Sequence, residues 1–187
     1  MVYLTISTGI GGGVVVDGRV LEGASGTGGE IGHMTIDRHG PRCLCGNVGC
    51  LEILASGTSI ARRFRERIAE GRQSSLAAAH PVTAADIYDA ARGGDALAAE
   101  VFRDAAEAVG IGVVNCVHIF NPELVVLGGG VTRAERLLFG PVNEMLSRYA
   151  MAVPRQEVRV VPAQLGDDAG LYGGLSLAVV ETGSLSF

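Results

Sequence analysis

The chain opens with apolar and polar positions in alternation. Residues 2–7, "VYLTIS", are rich in β-branched and aromatic side chains and predict a strand. "TGIGGG" then reads as a turn, and "VVVDGRVLEG" as a hairpin in which Asp17-Gly18 suits a type I′ turn. A second glycine-rich run, "GASGTGGEIG", leads into "HMTID", a short strand by composition. From Leu51 the period lengthens. In "LEILASGTSIARRFRERIAEG" the apolar residues Ile60, Phe64 and Ile68 recur at i, i+4 and i+8, one face of a helix that Gly71 ends. Arg62, Arg63, Arg65 and Arg67 interleave with Glu66 and Glu70, which reads as a solvated outer face and not as a basic patch.

"HPVTAADIYDAARGG" predicts a short helix capped by Thr83. A long helix opens at Asp95, sets Leu97, Val101, Ala105, Ala108 and Gly112 on one side, and stops near Phe120 before Asn121-Pro122. "ELVVLGGG" is a buried strand that ends in glycines. "RAERLLFGPVNEMLSRYA" is a helix with an expected break near Gly140-Pro141. "EVRVVPA" is a further strand, and Asp168 is placed to cap a last helix from Ala169 to about Val180. A β-meander, then helices, then β-α-β-α makes an α/β fold with a mixed sheet, expected as one domain over residues 1–187.

Composition narrows the chemistry. A chain of 187 residues that is 48% hydrophobic is long enough for a real core. All 15 basic residues are arginine, and without a lysine no P-loop can form. The net charge of −5 gives nothing for nucleic acid or an anionic membrane to bind. No secretory leader is expected, because Met1 runs into "VYLTIS" without a basic segment. No apolar run is long enough to span a bilayer. The expected compartment is the cytoplasm, where clustered cysteines are more often metal ligands or redox groups than disulfides.

That cluster is Cys43, Cys45 and Cys50, spaced C-x-C-x4-C, with His33 ten residues upstream. Three thiolates and an imidazole suit closed, tetrahedral, structural Zn²⁺, and nearby glycines let a short loop wrap an ion. The spacing is not that of a common zinc finger, so a redox or incidental thiol cluster stays open, as does His39 as a competing ligand. Cys116 reads as a core residue, and His80 and His118 as structural. Glu30 and Glu52 flank the ligands. Fixed beside a rigid loop, they suit hydrogen bonds from sugar hydroxyls, whereas alone they would read as surface residues. "STGIGGG" and "LGGG" bare the backbone at a turn and at a strand end, where amide N–H groups and the Thr8 hydroxyl can meet a nucleotide.

Together these parts resemble the C-terminal half of a ROK-family sugar kinase, within the actin-like, ribonuclease-H-like ATPases. "GGEIGHMTID" followed by "CLCGNVGCLE" is similar to the family signature, "STGIGGGVVVDGRVLEG" to its second phosphate segment, "NPELVVLGGGV" to its adenosine segment and "LGDDAGLYGGLSLA" to its last helix. The resemblance implies structural zinc on His33, Cys43, Cys45 and Cys50. It implies sugar contacts from Glu30, His33 and Glu52. It also implies a nucleotide along Thr8, Gly9, Gly11, Gly12, Gly128, Gly129 and Gly130. The implied reaction is phosphorylation of a hexose, commonly glucose at its 6-hydroxyl, by Mg²⁺-ATP or polyphosphate, in a homodimer. The family's general base is an aspartate of an Asn-Asp pair in a preceding domain, and no Asn-Asp dipeptide occurs here. The chain alone is therefore expected to be inactive or nearly so, with an apolar face open to self-association. The rival expectation is the sugar sensor of a ROK-type transcriptional repressor. A zinc-dependent nucleic-acid module is the weakest reading, since the loop lacks flanking basic and aromatic residues.

Overall fold

In the computed structural model, which describes residues 1–76 and 81–181, five strands form one mixed sheet in the order β3-β2-β1-β4-β5. Strand β1 (Val2–Ile6) buries Val2, Leu4 and Ile6 on one face and leaves Tyr3 and Thr5 half-buried on the other. Antiparallel β2 (Ile10–Val16) lies on one side of it with Leu4 opposite Gly12. Parallel β4 (Leu124–Gly128) lies on the other side with Leu4 opposite Leu127. Strand β3 (Arg19–Val20) closes the hairpin, and β5 (Arg159–Pro162) extends the parallel half. Asp17 and Gly18 both take positive φ, 50° and 74°, as the type I′ turn requires.

The predicted turn "TGIGGG" is shorter than expected. Only residues 7–9 turn, while Gly11, Gly12 and Gly13 are strand residues paired with Thr5, Leu4 and Tyr3. The reason is close packing. A Cβ on Gly12 would come within 2.7 Å of the Gly29 carbonyl oxygen and 2.9 Å of the Ile31 side chain, so residues 29–31 lie directly against the strand. The expected strand "HMTID" is absent for the same reason. Residues 31–33 make a 3₁₀ turn against β2, and Thr35 contributes a single bridge to Cys50.

The helix expected from Leu51 is two helices. Helices α1 (Leu51–Ala55) and α2 (Gly57–Ala69) meet at Ser56, whose backbone is extended and whose hydroxyl accepts the Ser59 N–H at 3.2 Å. Ile60 and Phe64 are buried as the period required. Arg62, Arg63 and Arg67 pair with Glu66, Asp104 and Glu70, while Arg65 lines a cavity described below. Helix α3 (Ala84–Arg92) begins at Thr83 with a full capping box to Asp86. Helix α4 (Ala96–Phe120), capped by Asp95, runs through the middle of the core with Leu97, Val101, Ala105, Val109, Val113 and Val117 buried. Cys116 is buried there too, and burial pushes its thiol up to about 12.

Helix α5 (Glu135–Tyr149) is continuous through Pro141, without the expected break. Leu138, Val142, Met145 and Leu146 are buried, and their packing on α4 outweighs the donor that Pro141 lacks. The short α6 (Ala152–Glu157) was not foreseen, and α7 (Ala169–Glu181) follows as expected. His118 accepts the Met151 N–H at 3.1 Å, a structural role, whereas His80 lies outside the described residues. Among the described residues no helix is long and apolar enough to cross a membrane.

Candidate functional site

The cysteine loop folds back along the segment that carries His33. Arg42 bridges to Val48 and Thr35 to Cys50, while Leu51 N–H donates to the Met34 carbonyl at 3.0 Å. Gly49, at φ 60°, sits so close to the Asp37 carbonyl that no side chain fits there. The loop thus closes, and the ligand atoms of His33, Cys43, Cys45 and Cys50 lie within 4.8 Å of one another. His39 is outside this group; its backbone N–H is held by the Asp37 carboxylate. All four cysteines are free thiols.

These four residues can hold a metal ion, and the donor set fits zinc. Zn–S bonds of about 2.3 Å in a tetrahedron put sulfurs about 3.8 Å apart. Cys45 Sγ and Cys50 Sγ are 3.6 Å apart, and Cys43 Sγ and His33 Nδ1 are 3.8 Å apart. Burial, with the neighbouring Cys45 and Cys43 thiols adding to it, pushes Cys50 up to about 12, whereas exposed Cys45 is held below its ordinary value chiefly by the Asn47 backbone. Several thiolates so close repel one another unless a cation sits between them.

The ring of His33 divides its two nitrogens. Nδ1 faces Cys43, and Nε2 lies 3.9 Å from Glu30 Oε2 on the far side. Glu52 stands in the first turn of α1, two residues beyond Cys50, and its Oε2 accepts the Ile10 N–H at 2.8 Å. The bridged segments therefore bring Glu30, His33 and Glu52 to the loop, and Glu52 ties that loop to the turn at residues 7–10.

A cavity of about 640 Å³ opens beside the same turn, at the carboxyl ends of β1 and β4. In open α/β sheets ligands bind at that edge. Ser7 and Thr8 follow β1, and Gly130 and Val131 follow β4. Ala61, Val82, Tyr88, Phe102 and Ala134 make it apolar, and Arg65, Thr83, Asp89 and Arg133 add polar groups. The first residues of α2 (Gly57, Thr58) and α3 (Ala84, Ala85) also line it, so two helices begin at its wall. Of the glycines singled out by sequence, Gly130 reaches this cavity, and Gly129 and Gly130 reach a second one against α7. Gly9, Gly11, Gly12 and Gly128 line neither. Three of these four make intramolecular close approaches: a Cβ on Gly128 would collide with the Tyr3 hydroxyl, one on Gly9 with Glu52, and one on Gly12 with Gly29 and Ile31. Tyr88, Phe102, Val82 and Asp89 had no local motif to mark them, because they converge only through the packing of α3 on α4.

The fold and site define an α/β domain on a mixed sheet, with a pinned cysteine–histidine loop beside a cavity at the sheet's carboxyl edge. The chain belongs to the ROK family, whose match covers residues 1–181. It is 40% identical over 181 residues to a glucokinase of Thermotoga maritima, covering 95% of this chain and 57% of that protein. It is 31% identical over 190 residues to a xylose repressor of Caldicellulosiruptor bescii, covering 100% of this chain and 47% of the repressor. Among solved structures, a ROK hexokinase from Thermus thermophilus superposes with a TM-score of 0.79 at 38% identity, covering 98% of this chain and 58% of that one. A ROK glucokinase from Streptomyces griseus in complex with glucose and AMPPNP gives 0.81 at 30% identity, covering 94% and 59%. The chain spans about half the length of the curated relatives it matches.

Proposed function

We propose that this chain forms the sugar- and nucleotide-facing part of an ATP-dependent hexose kinase, with glucose as the first candidate substrate and its 6-hydroxyl as the acceptor. One observation carries the reading. An acid–histidine–acid set (Glu30, His33, Glu52) and an apolar cavity at whose wall two helices begin both adjoin one turn, residues 7–10. Phosphoryl transfer needs a hydroxyl and a polyphosphate chain in line, so a turn that both sites adjoin is where the transfer would occur.

In this reading zinc on His33, Cys43, Cys45 and Cys50 is structural and holds the wall in place. Glu30 and Glu52 accept hydrogen bonds from sugar hydroxyls, and His33 Nε2 joins them. The purine rests among Ala61, Val82, Tyr88 and Phe102, and Mg²⁺-bound phosphates run past Thr8, Gly129 and Gly130, which reach the two cavities. Both carboxylates of the wall already have partners, so we assign neither as the general base and expect phosphoryl transfer by this chain alone to be absent or nearly so. The exposed apolar side chains of α7 (Leu171, Tyr172, Leu175, Leu177) support self-association.

The second reading is the sugar-sensing domain of a ROK-type repressor, supported by a repressor relative matched along the whole chain. A sensor has no use for ATP. Calorimetric titration with magnesium-AMPPNP separates the two: binding that is lost when Ala61→Trp fills the cavity supports the kinase, and no binding by the folded, zinc-loaded chain favours the sensor.

A further inference from the structure

The turn at residues 7–10 is held from both sides. Ser7 accepts the Gly57 N–H at 2.7 Å, which fixes it to the start of α2. Ile10 donates to Glu52 Oε2 at 2.8 Å, which fixes it to α1. The second bond is specific in its sterics. Gly9 has no positive φ to account for it, yet a Cβ there would lie 2.6 Å from Glu52 Oε2 and 3.5 Å from Cδ. The carboxylate occupies the space a side chain would take.

Glu52 is itself held firmly. Its carbonyl accepts the Ser59 hydroxyl at 2.8 Å and the Ser56 N–H at 3.0 Å. It also follows Leu51, which is fully buried and whose N–H donates to the Met34 carbonyl at 3.0 Å. A carboxylate on a fixed helix that accepts a backbone N–H is a stiff, charge-assisted contact.

We infer that Glu52 is a positioning residue for the phosphate-facing turn, acting through the Ile10 amide, and that position 9 is glycine to admit its carboxylate. This rests on the nucleotide reading given above and adds a role for Glu52 distinct from sugar contact. One oxygen holds the turn, which leaves the other for a hydroxyl. Loop, α1 and turn then move as one piece, and the nucleotide meets a turn already set.

The test combines amide hydrogen exchange by NMR with magnesium-AMPPNP titration, in the metal-loaded chain and without sugar. Glu52→Ala and Gly9→Ala are expected to speed exchange at Ile10 about tenfold, the loss of one such hydrogen bond, and to weaken AMPPNP by a similar factor. Glu52→Gln, whose amide oxygen still accepts but without the charge, is expected to fall between wild type and Glu52→Ala in both. Unchanged Ile10 exchange in Glu52→Ala, with the β4 amides still protected, would overturn the inference. So would an equal loss in Glu52→Gln and Glu52→Ala. If Ile10 exchange follows Glu52 while AMPPNP binds no version of the chain, the positioning role stands and the nucleotide reading falls. Should Gly9→Ala fail to fold, the Glu52 pair decides alone.

Discussion

Asp95 carries more of the fold than its place on the helix boundary suggests. Burial alone would raise its pKa, but bonds from the Ala98 and Ser75 N–H groups and the Ser74 and Ser75 hydroxyls outweigh it and hold the carboxyl well below its ordinary value of 3.8. A carboxyl depressed in the folded state stabilises above its unfolded pKa and loses that contribution as pH falls through the folded one. Asp95→Ala should therefore cost about 1–2 kcal/mol at neutral pH. Urea melts repeated at decreasing pH should show that gap closing below about pH 4; a constant gap would assign the loss to packing. In the zinc reading the cysteine–histidine cluster behaves differently, because the charge of its thiolates would be compensated by an ion and not by donors. Cys45→Ser should reduce bound zinc below one equivalent by metal analysis and lower the melting temperature, while Cys116→Ser leaves the zinc count unchanged.

Between elements, α4 and α5 pack extensively, and a glycine lets them approach. A Cβ on Gly110 would stand 2.7 Å from Met145 Cβ and 3.2 Å from Val142 Cα, neither of which can swing aside. Gly110→Ala gains about 1 kcal/mol of helix propensity yet should still destabilise the protein by about 1–2 kcal/mol, because overpacking costs more. Denaturant titration gives the sign directly. Such contacts explain what could be read from the sequence. Long periodic runs such as that from Leu97 to Val117, and capping residues such as Thr83 and Asp95, carry their structure locally. The glycines at 11–13 read as a turn because their reason for being glycine, the approach of residues 29–31, comes from elsewhere in the chain. Pro141 likewise marked a break that the packing of Leu138 and Val142 overrides.

At the scale of the whole molecule, the cysteine–histidine loop, through Glu52, and the cavity both adjoin the turn that follows β1. The cluster was legible because three thiols and an imidazole within eighteen residues can hold a metal ion once the chain closes the loop. The cavity was not, since its lining comes from α2, α3, α4 and the segment after β4, which no motif links. If the wall is part of a kinase lacking its base in this chain, a coupled assay should find no glucose 6-phosphate above background even with zinc, magnesium and ATP present. Sedimentation should at the same time report association that Leu171→Glu and Leu175→Glu reverse. We propose that the metal-held loop presents a ready-made sugar wall. That is tested most directly by titrating glucose into the zinc-loaded chain and following its backbone amide NMR spectrum. Shifts confined to residues 30–34, 50–52 and Ile10, lost in Glu30→Ala and on chelation, are the predicted result. A spectrum unmoved at saturating glucose, with one zinc bound per chain, would contradict it.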